Sequence, residues 1–331
     1  MLKKVIGGLL LTILLVALVF YFTASSSWES KANYHQLLSW GNQDFEGDTL
    51  VAMTYNIGYL SGMTNNLAVY RPRSLYDHNL QQAKNLISSI NPDIIGFQEI
   101  DYDSNRSFKV HQLQELATAG NYSEALQSVN WDKRYVPFPY WPPEFQFGKM
   151  LSGQSILAKG HLEQDQVVTL PKPLNVPFYY NAFYLDRLVQ VVDWQVGGTT
   201  IKVMNLHLEA FDQETRIIHA QAVKDLYESY AINMPVILMG DFNCPPALLD
   251  GEDGMDIVMS ARNIASAIPD TTYDANPEDY YTFSSSHPFE MIDFVLYNPS
   301  HIQPLEAFVP RAGEISDHLP VVFKFKLVTQ P

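Results

Sequence analysis

Eight residues of types that can do chemistry stand at or close to apolar runs in this chain: Asn56, Glu99, His207, Asp241, Asn243, Asp293, Asp317 and His318. The densest group is Met239-Gly240-Asp241-Phe242-Asn243, which follows the run Pro235-Val236-Ile237-Leu238. That run reads as a buried strand bounded by Pro and Gly, and Gly240 lets the backbone turn sharply where it ends. If the extended geometry holds past Gly240, Asp241 and Asn243 point to the same side. A carboxylate and an amide oxygen on one rim make a hard, oxygen-rich site, which suits Mg²⁺ and a phosphate better than Zn²⁺. The competing reading is a strand closed by an Asx-turn, since Asp and Asn favour turns for their own reasons. Each of the other residues also has a plain structural reading: a hydrogen-bonded His, a loop carboxylate, an Asp holding a backbone amide. Eight of them at successive strand ends point instead to one rim, because sites of sheet proteins gather where strand ends converge.

The elements that must position them follow from the apolar pattern. Strands are expected over 49–56, 93–99, 155–159, 166–170, 188–195, 200–206, 290–297 and 319–327, besides the run before Gly240. Gly197-Gly198 makes a hairpin of the pair around it, because paired Gly supplies the positive φ of a tight turn. Helical spacing predicts helices over 76–90, closed by Asn91-Pro92, and over 213–230, with Ile217, Ala220, Val223, Leu226 and Tyr227 on one stripe. From Trp131 to Phe147 seven aromatic rings interleave with Pro137, Pro139, Pro142 and Pro143. A helix cannot run through that, so a strand near Arg134-Tyr135-Val136 and then a rigid loop are expected. These rings either cover the core or line a substrate groove or rest on a membrane interface. Phe178-Tyr179-Tyr180 and Phe183-Tyr184 offer a second wall of the same kind.

The chain has 331 residues, 47% hydrophobic, with a formal net charge of -15. Met1-Leu2-Lys3-Lys4 precedes a nearly unbroken apolar run from Val5 to Phe22. Its length sits near the lower end for a membrane span and exceeds the usual signal-peptide core, while Ala24-Ser25-Ser26 is small enough to serve as a cleavage site. Lys3 and Lys4 keep the N-terminus cytoplasmic. Both readings of residues 1–24, signal-anchor or signal peptide, place the rest outside the cytoplasm: a single-pass membrane protein, or a secreted one if the segment is cleaved. Residues 25–48 are polar and mixed and read as a linker, leaving 49–331 as one domain. No Lys/Arg cluster marks that domain as a nucleic-acid binder. Cys244 is the only cysteine, so no intrachain disulfide forms and the redox compartment is not indicated.

Six short motifs now stand in order: Met53-Thr54-Tyr55-Asn56, Phe97-Gln98-Glu99, Asn205-Leu206-His207-Leu208, Gly240-Asp241-Phe242-Asn243, Ile292-Asp293-Phe294-Val295 and Ser316-Asp317-His318-Leu319-Pro320. The ordered set resembles the endonuclease/exonuclease/phosphatase superfamily, which includes pancreatic-type deoxyribonucleases, abasic-site endonucleases, inositol polyphosphate 5-phosphatases and bacterial neutral sphingomyelinases. The resemblance implies an α/β four-layer sandwich, two mixed β-sheets packed face to face with helices outside, here preceded by one transmembrane helix. It further implies that Glu99 holds Mg²⁺ (or Mn²⁺), with Asn56 and Asp317 completing the metal site. Asp241 and Asn243 would position the water and the phosphate, Asp293 would orient His318, and His207 would contact the phosphate. The chemistry is consistent with this: a phosphodiester transition state needs charge neutralisation, an activated water and a stabilised leaving group. A His braced by a carboxylate suits general base work, and His207, if protonated, suits donation.

Fold alone does not choose the substrate. Leu238-Met239 before Gly240, and Glu290-Met291-Ile292-Asp293, depart from the Trp and the Cys-Asp-Arg motif of the 5-phosphatases. His207 stands where abasic-site enzymes have a Tyr. The sequence therefore resembles the deoxyribonuclease and sphingomyelinase branches. The acidic balance, the membrane-proximal start and the aromatic-Pro loop favour a lipid head group over nucleic acid as the phosphodiester partner. The alternatives are a secreted or surface nuclease, and a catalytically silent membrane-tethered binding module. The sequence carries no sign of an oligomeric state.

Overall fold

The 23 residues after Met1 fold as one helix, α1 (Leu2–Ala24), apolar along nearly its whole length and long enough to cross a membrane. The structure, a computed structural model, describes residues 1–41, 43–246 and 253–328; the end of the expected domain, residues 329–331, lies outside the described residues. After α1 the chain does not simply link. Its residues 35–39 form β1 (His35–Ser39), which pairs antiparallel with residues 124–128. The backbone amides of Trp28 and Glu29 both donate to the Asp132 carboxylate, each at 2.8 Å. The stretch read as a linker, 25–48, thus contributes an edge strand to the domain. Its polar composition hid this, because an edge strand with one wet face needs few apolar residues.

Two β-α-β units then set the architecture. β2 (Leu50–Asn56) leads through α2 (Arg73–Ile90) to the parallel β3 (Ile94–Asp101). Asn91 in the left-handed conformation, followed by Pro92, ends α2. Next come α3 (Gln112–Ala117), β4 (Glu124–Val136), β5 (Gly148–Ala158), β6 (His161–Leu170), α4 (Phe178–Phe183) and β7 (Arg187–Val196). The second unit is β8 (Thr199–His207), α5 (Gln213–Ala231) and the parallel β9 (Val236–Asp241). The Asp212 carboxylate caps α5 by accepting from the Thr215 amide at 2.8 Å. The rest is α6 (Gly254–Met259), β10 (Ala265–Ser266), α7 (Asp270–Ala275), β11 (Asp293–Tyr297), β12 (Ile302–Phe308) and β13 (Val321–Leu327).

The strands form two mixed sheets, ordered β1-β4-β5-β3-β2-β13-β12 and β10-β11-β9-β8-β7-β6. Alternation sorts their side chains. Leu50, Ala52, Ile94 and Ile156 of the first sheet join Val192, Val203, Ile237 and Met239 of the second in the central core. Met53, Tyr55, Ile95 and Phe97 face the other way and pack with Ala83 and Ile87 of α2 and with Leu113 and Leu116 of α3. Ala220, Val223 and Tyr227 of α5 cover the outer side of the second sheet. The result is the expected helix-sheet-sheet-helix sandwich.

Most expected strands are found and extend beyond their apolar runs. β4 was legible only at its end, because its buried positions include Gln127, Ser128, Asn130 and Asp132. β12 carries Pro304 beside a register shift, tolerable because β12 is an edge strand. One polar group spans the sheets beneath the site. Gln98 Nε2 donates to Asn205 Oδ1 at 2.5 Å, Asn205 Nδ2 donates to Gln190 Oε1 at 2.8 Å, and Gln190 Nε2 donates to Ser128 Oγ at 2.8 Å. This clasp fixes how the sheets slide against each other, and so how their strand ends meet.

Candidate active site at the rim of the two sheets

The parallel strands β2, β3, β8 and β9 all end at one rim, and the antiparallel β11 and β13 begin there. Asn56 closes β2, His207 closes β8 and Asp241 closes β9, with His207 and Asp241 in register. Asp293 opens β11 opposite Asp241, and His318 lies just before β13. Glu99 sits in a register shift of β3 with φ of +52°, which turns it out of the ladder. A non-glycine residue held there is a mark of functional geometry.

Gly240 has φ of +149°, and a Cβ on it would lie 2.1 Å from Leu206 O. Only glycine lets β9 lie this close to β8. The extended backbone does not hold past Asp241, however. Asn243 has φ of +51°, and its N–H donates to Asp241 Oδ1 at 2.9 Å, an Asx-turn. Its side-chain amide donates to Leu208 O at 3.1 Å. The turn reading and the functional reading therefore meet in one structure, because the turn orients the carboxylate.

At the centre, Asp241 Oδ2 accepts from Asn56 Nδ2 at 2.8 Å and lies 3.3 Å from His207 Nε2 and 3.9 Å from His318 Nε2. His318 Nδ1 donates to Asp293 Oδ2 at 2.8 Å, which leaves Nε2 as the atom facing the site. Burial and the nearby Asp293 push Asp241 up to about 7. Burial works to depress His318, but Asp293 and then Asp241 outweigh it and hold it well above its ordinary value. His207 goes the other way: burial, with Arg187 and His318 nearby, holds it well below and therefore neutral.

Glu99 Oε2 accepts from Asn65 Nδ2 at 2.8 Å, and Oε1 lies 3.9 Å from His207 Nε2. Its carboxyl is raised by burial and by the charge of Asp317. Glu99 and Asp317, with the Asn56 amide oxygen, offer a hard oxygen donor set of the kind a divalent cation fits. Asn56 spends its Nδ2 on Asp241 and its Oδ1 on the Gly58 amide, at 2.8 and 3.1 Å, so Glu99 and Asp317 are the freer ligands. Asp241, Asp293 and His318 also bring ligand atoms within 4.8 Å of one another, but His318 and Asp293 are already joined by their hydrogen bond.

Arg187 was missed in the sequence because it opens a strand and belongs to none of the six motifs. It is 4% exposed, its Nη2 donates to the Tyr184 hydroxyl at 2.9 Å, and its Nε lies 3.7 Å from Glu209 Oε2. Its Nε and Nη1 make no hydrogen bond among the described residues. A buried cation with spare donors beside His207 and Glu99 can meet a phosphoryl oxygen. Of the groups that hold it, Tyr184 stood in the sequence reading only as part of an aromatic wall, and Glu209 was not among the candidate site residues.

The Endonuclease/Exonuclease/phosphatase family model matches residues 53–318, and the chain belongs to that family. It is accordingly a hydrolase of phosphoesters. Solved structures show the same fold. An endonuclease/exonuclease/phosphatase from Beutenbergia cavernae DSM 12333 matches with TM-score 0.60 at 19% identity, over 85% of this chain and 72% of that one. The human Nocturnin catalytic domain with bound sulfate matches with TM-score 0.56 at 17% identity, over 89% and 98%. A mannosyl-6-phosphatase from Bacteroides thetaiotaomicron VPI-5482 matches with TM-score 0.55 at 18% identity, over 85% and 100%. No curated protein sequence matches the chain.

Proposed function

We propose that this protein is a divalent-cation-dependent phosphodiesterase, anchored by α1 with its domain facing away from the cytoplasm, that acts on phospholipid head groups. The observation that carries the hydrolytic reading is the meeting of Asn56, Glu99, His207, Asp241, Asp293 and His318 from both sheets at one rim. The lipid preference rests on the net charge of -15, without a basic cluster, and on the apolar α1.

Glu99 and Asp317, with Asn56, are the residues that would hold Mg²⁺ or Mn²⁺, which supplies Lewis-acid neutralisation of phosphoryl charge. Asp241, held by Asn56 and by the Asn243 amide, takes a proton from the attacking water as its oxygen bonds to phosphorus. The ester P–O bond breaks, and His318, already protonated between two carboxylates, gives the Nε2 proton to the departing oxygen. This reverses the base role expected for His318 from sequence; Asp293 remains the group that positions it. Neutral His207 and Arg187 contribute hydrogen bonds to the phosphoryl oxygens.

The test is a Mg²⁺-dependent hydrolysis screen on the purified protein beside an Asp241→Ala/His318→Ala double variant. The panel holds sphingomyelin and other phospholipids in vesicles, phosphoinositides, plasmid DNA, a sugar 6-phosphate and bis-p-nitrophenyl phosphate. Turnover of phospholipid, lost in the double variant, is the expected result. Nicking of DNA that fades steeply as salt rises would replace the lipid reading with a nuclease. No turnover by folded protein with cation present would favour a binding module.

A further inference from the structure

The end of α1 is built into the domain. Tyr21 meets Phe178 and Phe183 edge-on at 5.6 and 6.1 Å between ring centroids, and Phe20 meets Tyr135 at 6.0 Å. Just beyond the helix, Lys133 Nζ donates to Ser25 O at 3.1 Å and the Arg134 amide donates to Ser26 O at 2.9 Å. An apolar helix therefore leaves the domain between two segments, the Pro-rich loop after β4 and helix α4. Both segments, and the stretch that leads into α4, turn large apolar side chains outward. Trp141 is 78% exposed, Phe178 74% and Leu174 86%.

Other rings in the same segments are buried or half-buried. Phe147 is buried, and Phe138 packs on it at 5.5 Å. Trp131 of β4 donates its indole N–H to Phe183 O at 2.7 Å, which ties α4 to the strand that leads into the loop. The scaffold is thus packed from inside, and neither Trp141 nor Leu174 takes part in these contacts, while Phe178 meets Tyr21 of α1 and keeps most of its surface open. Exposed apolar side chains grouped around the exit of an apolar helix are what a bilayer interface receives, with Trp and Tyr at head-group depth.

We infer that the loop carrying Trp141, the segment carrying Leu174 and helix α4 form an apron that inserts into the head-group layer of the membrane crossed by α1. This extends the proposed function and rests on its reading of α1 as a span. The apron also connects to the site. Tyr180 of α4 stacks on Tyr184 at 4.8 Å, and the Tyr184 hydroxyl donates to Glu209 and receives from Arg187. One wall of the site is therefore continuous with the surface that would touch lipid.

The test is depth measurement by spin label on the full chain in phosphatidylcholine vesicles. Single cysteines are placed by Trp141→Cys and Leu174→Cys, with Leu14→Cys inside α1 and Leu305→Cys on β12 at the far edge of the first sheet as references. Native Cys244 is 1% exposed and does not compete for the label. Labels at 141 and 174 are expected to be reached by oxygen and shielded from a water-soluble nickel complex, at shallower depth than 14, while 305 is open to nickel. Nickel access at 141 and 174 equal to that at 305, with 14 in the bilayer, overturns the apron alone. Shielding of 141 and 174 from both oxygen and nickel overturns it in favour of a protein partner. Nickel access at 14 overturns the apron together with the span on which it rests.

Discussion

Asp241 and His318 face each other across the joint between the sheets; burial disfavours charge on both, but Asp293 and Asp241 hold His318 charged against it. The sign of the pH dependence follows. Asp241 must be ionised to take a proton, so kcat/KM is expected to rise as pH rises through about 7. His318 must be protonated to give one, so activity falls again as pH passes its raised value. In Asp293→Asn the principal group raising His318 is gone, and the alkaline limb should move to lower pH in a pH–rate profile. An unmoved limb would show that Asp293 does not act through His318. Added cation at Glu99 should draw the acidic limb downward, because a positive charge favours ionised Asp241. Removal of either side chain, in Asp241→Ala or His318→Ala, is expected to lower kcat by roughly 10² to 10⁴. At this scale the sequence was informative about which residues gather but not about their charge states. Those depend on burial and on Asp241, Asp293 and His318 meeting from distant strands. Arg187 carried no such signal, since a lone cation at a strand start has many uses.

Among the elements, the two β-α-β units were the most legible, because α2 and α5 show helical spacing and β3 and β9 are apolar runs. The strands that sequence hid are those with buried polar positions, above all β4. The inter-sheet clasp gives these polar residues their reason. Replacing Asn205 by Leu should take an acceptor from Gln98 Nε2 and the donor from Gln190 Oε1, and cost about 3 kcal/mol, measured by denaturant unfolding. A change under about 0.5 kcal/mol would mean that the clasp relaxes and is not a constraint. Gly240→Ala places a methyl 2.1 Å from Leu206 O, so β8 and β9 must separate where His207 and Asp241 sit. The expected outcome is loss of activity together with lowered Tm; a fully active variant would show that the strand ends tolerate displacement.

Across the whole molecule, the proposed cation would couple the site to stability. At a hundredfold excess over its Kd, a cation bound only by the folded state adds about 2.7 kcal/mol. Mg²⁺ should therefore raise Tm in the native protein and leave Glu99→Gln unmoved. Without cation, Glu99→Gln is expected to be at least as stable as the native chain, because the mutual repulsion with Asp317 is relieved. Equal Mg²⁺ shifts in both would place the ion elsewhere.

One topological detail bears on how such a chain is made. Strand β13 lies near the end of the sequence, yet it pairs with β2, the first core strand, and brings His318 to Asn56. A nascent chain that has not yet delivered residues 318–327 lacks an interior strand of its first sheet and one wall of its site. Closing that sheet joins segments separated by most of the polypeptide, the kind of distant pairing that slows folding. A complete site thus waits on β13, and recovered activity after refolding would report the docking of that strand against β2.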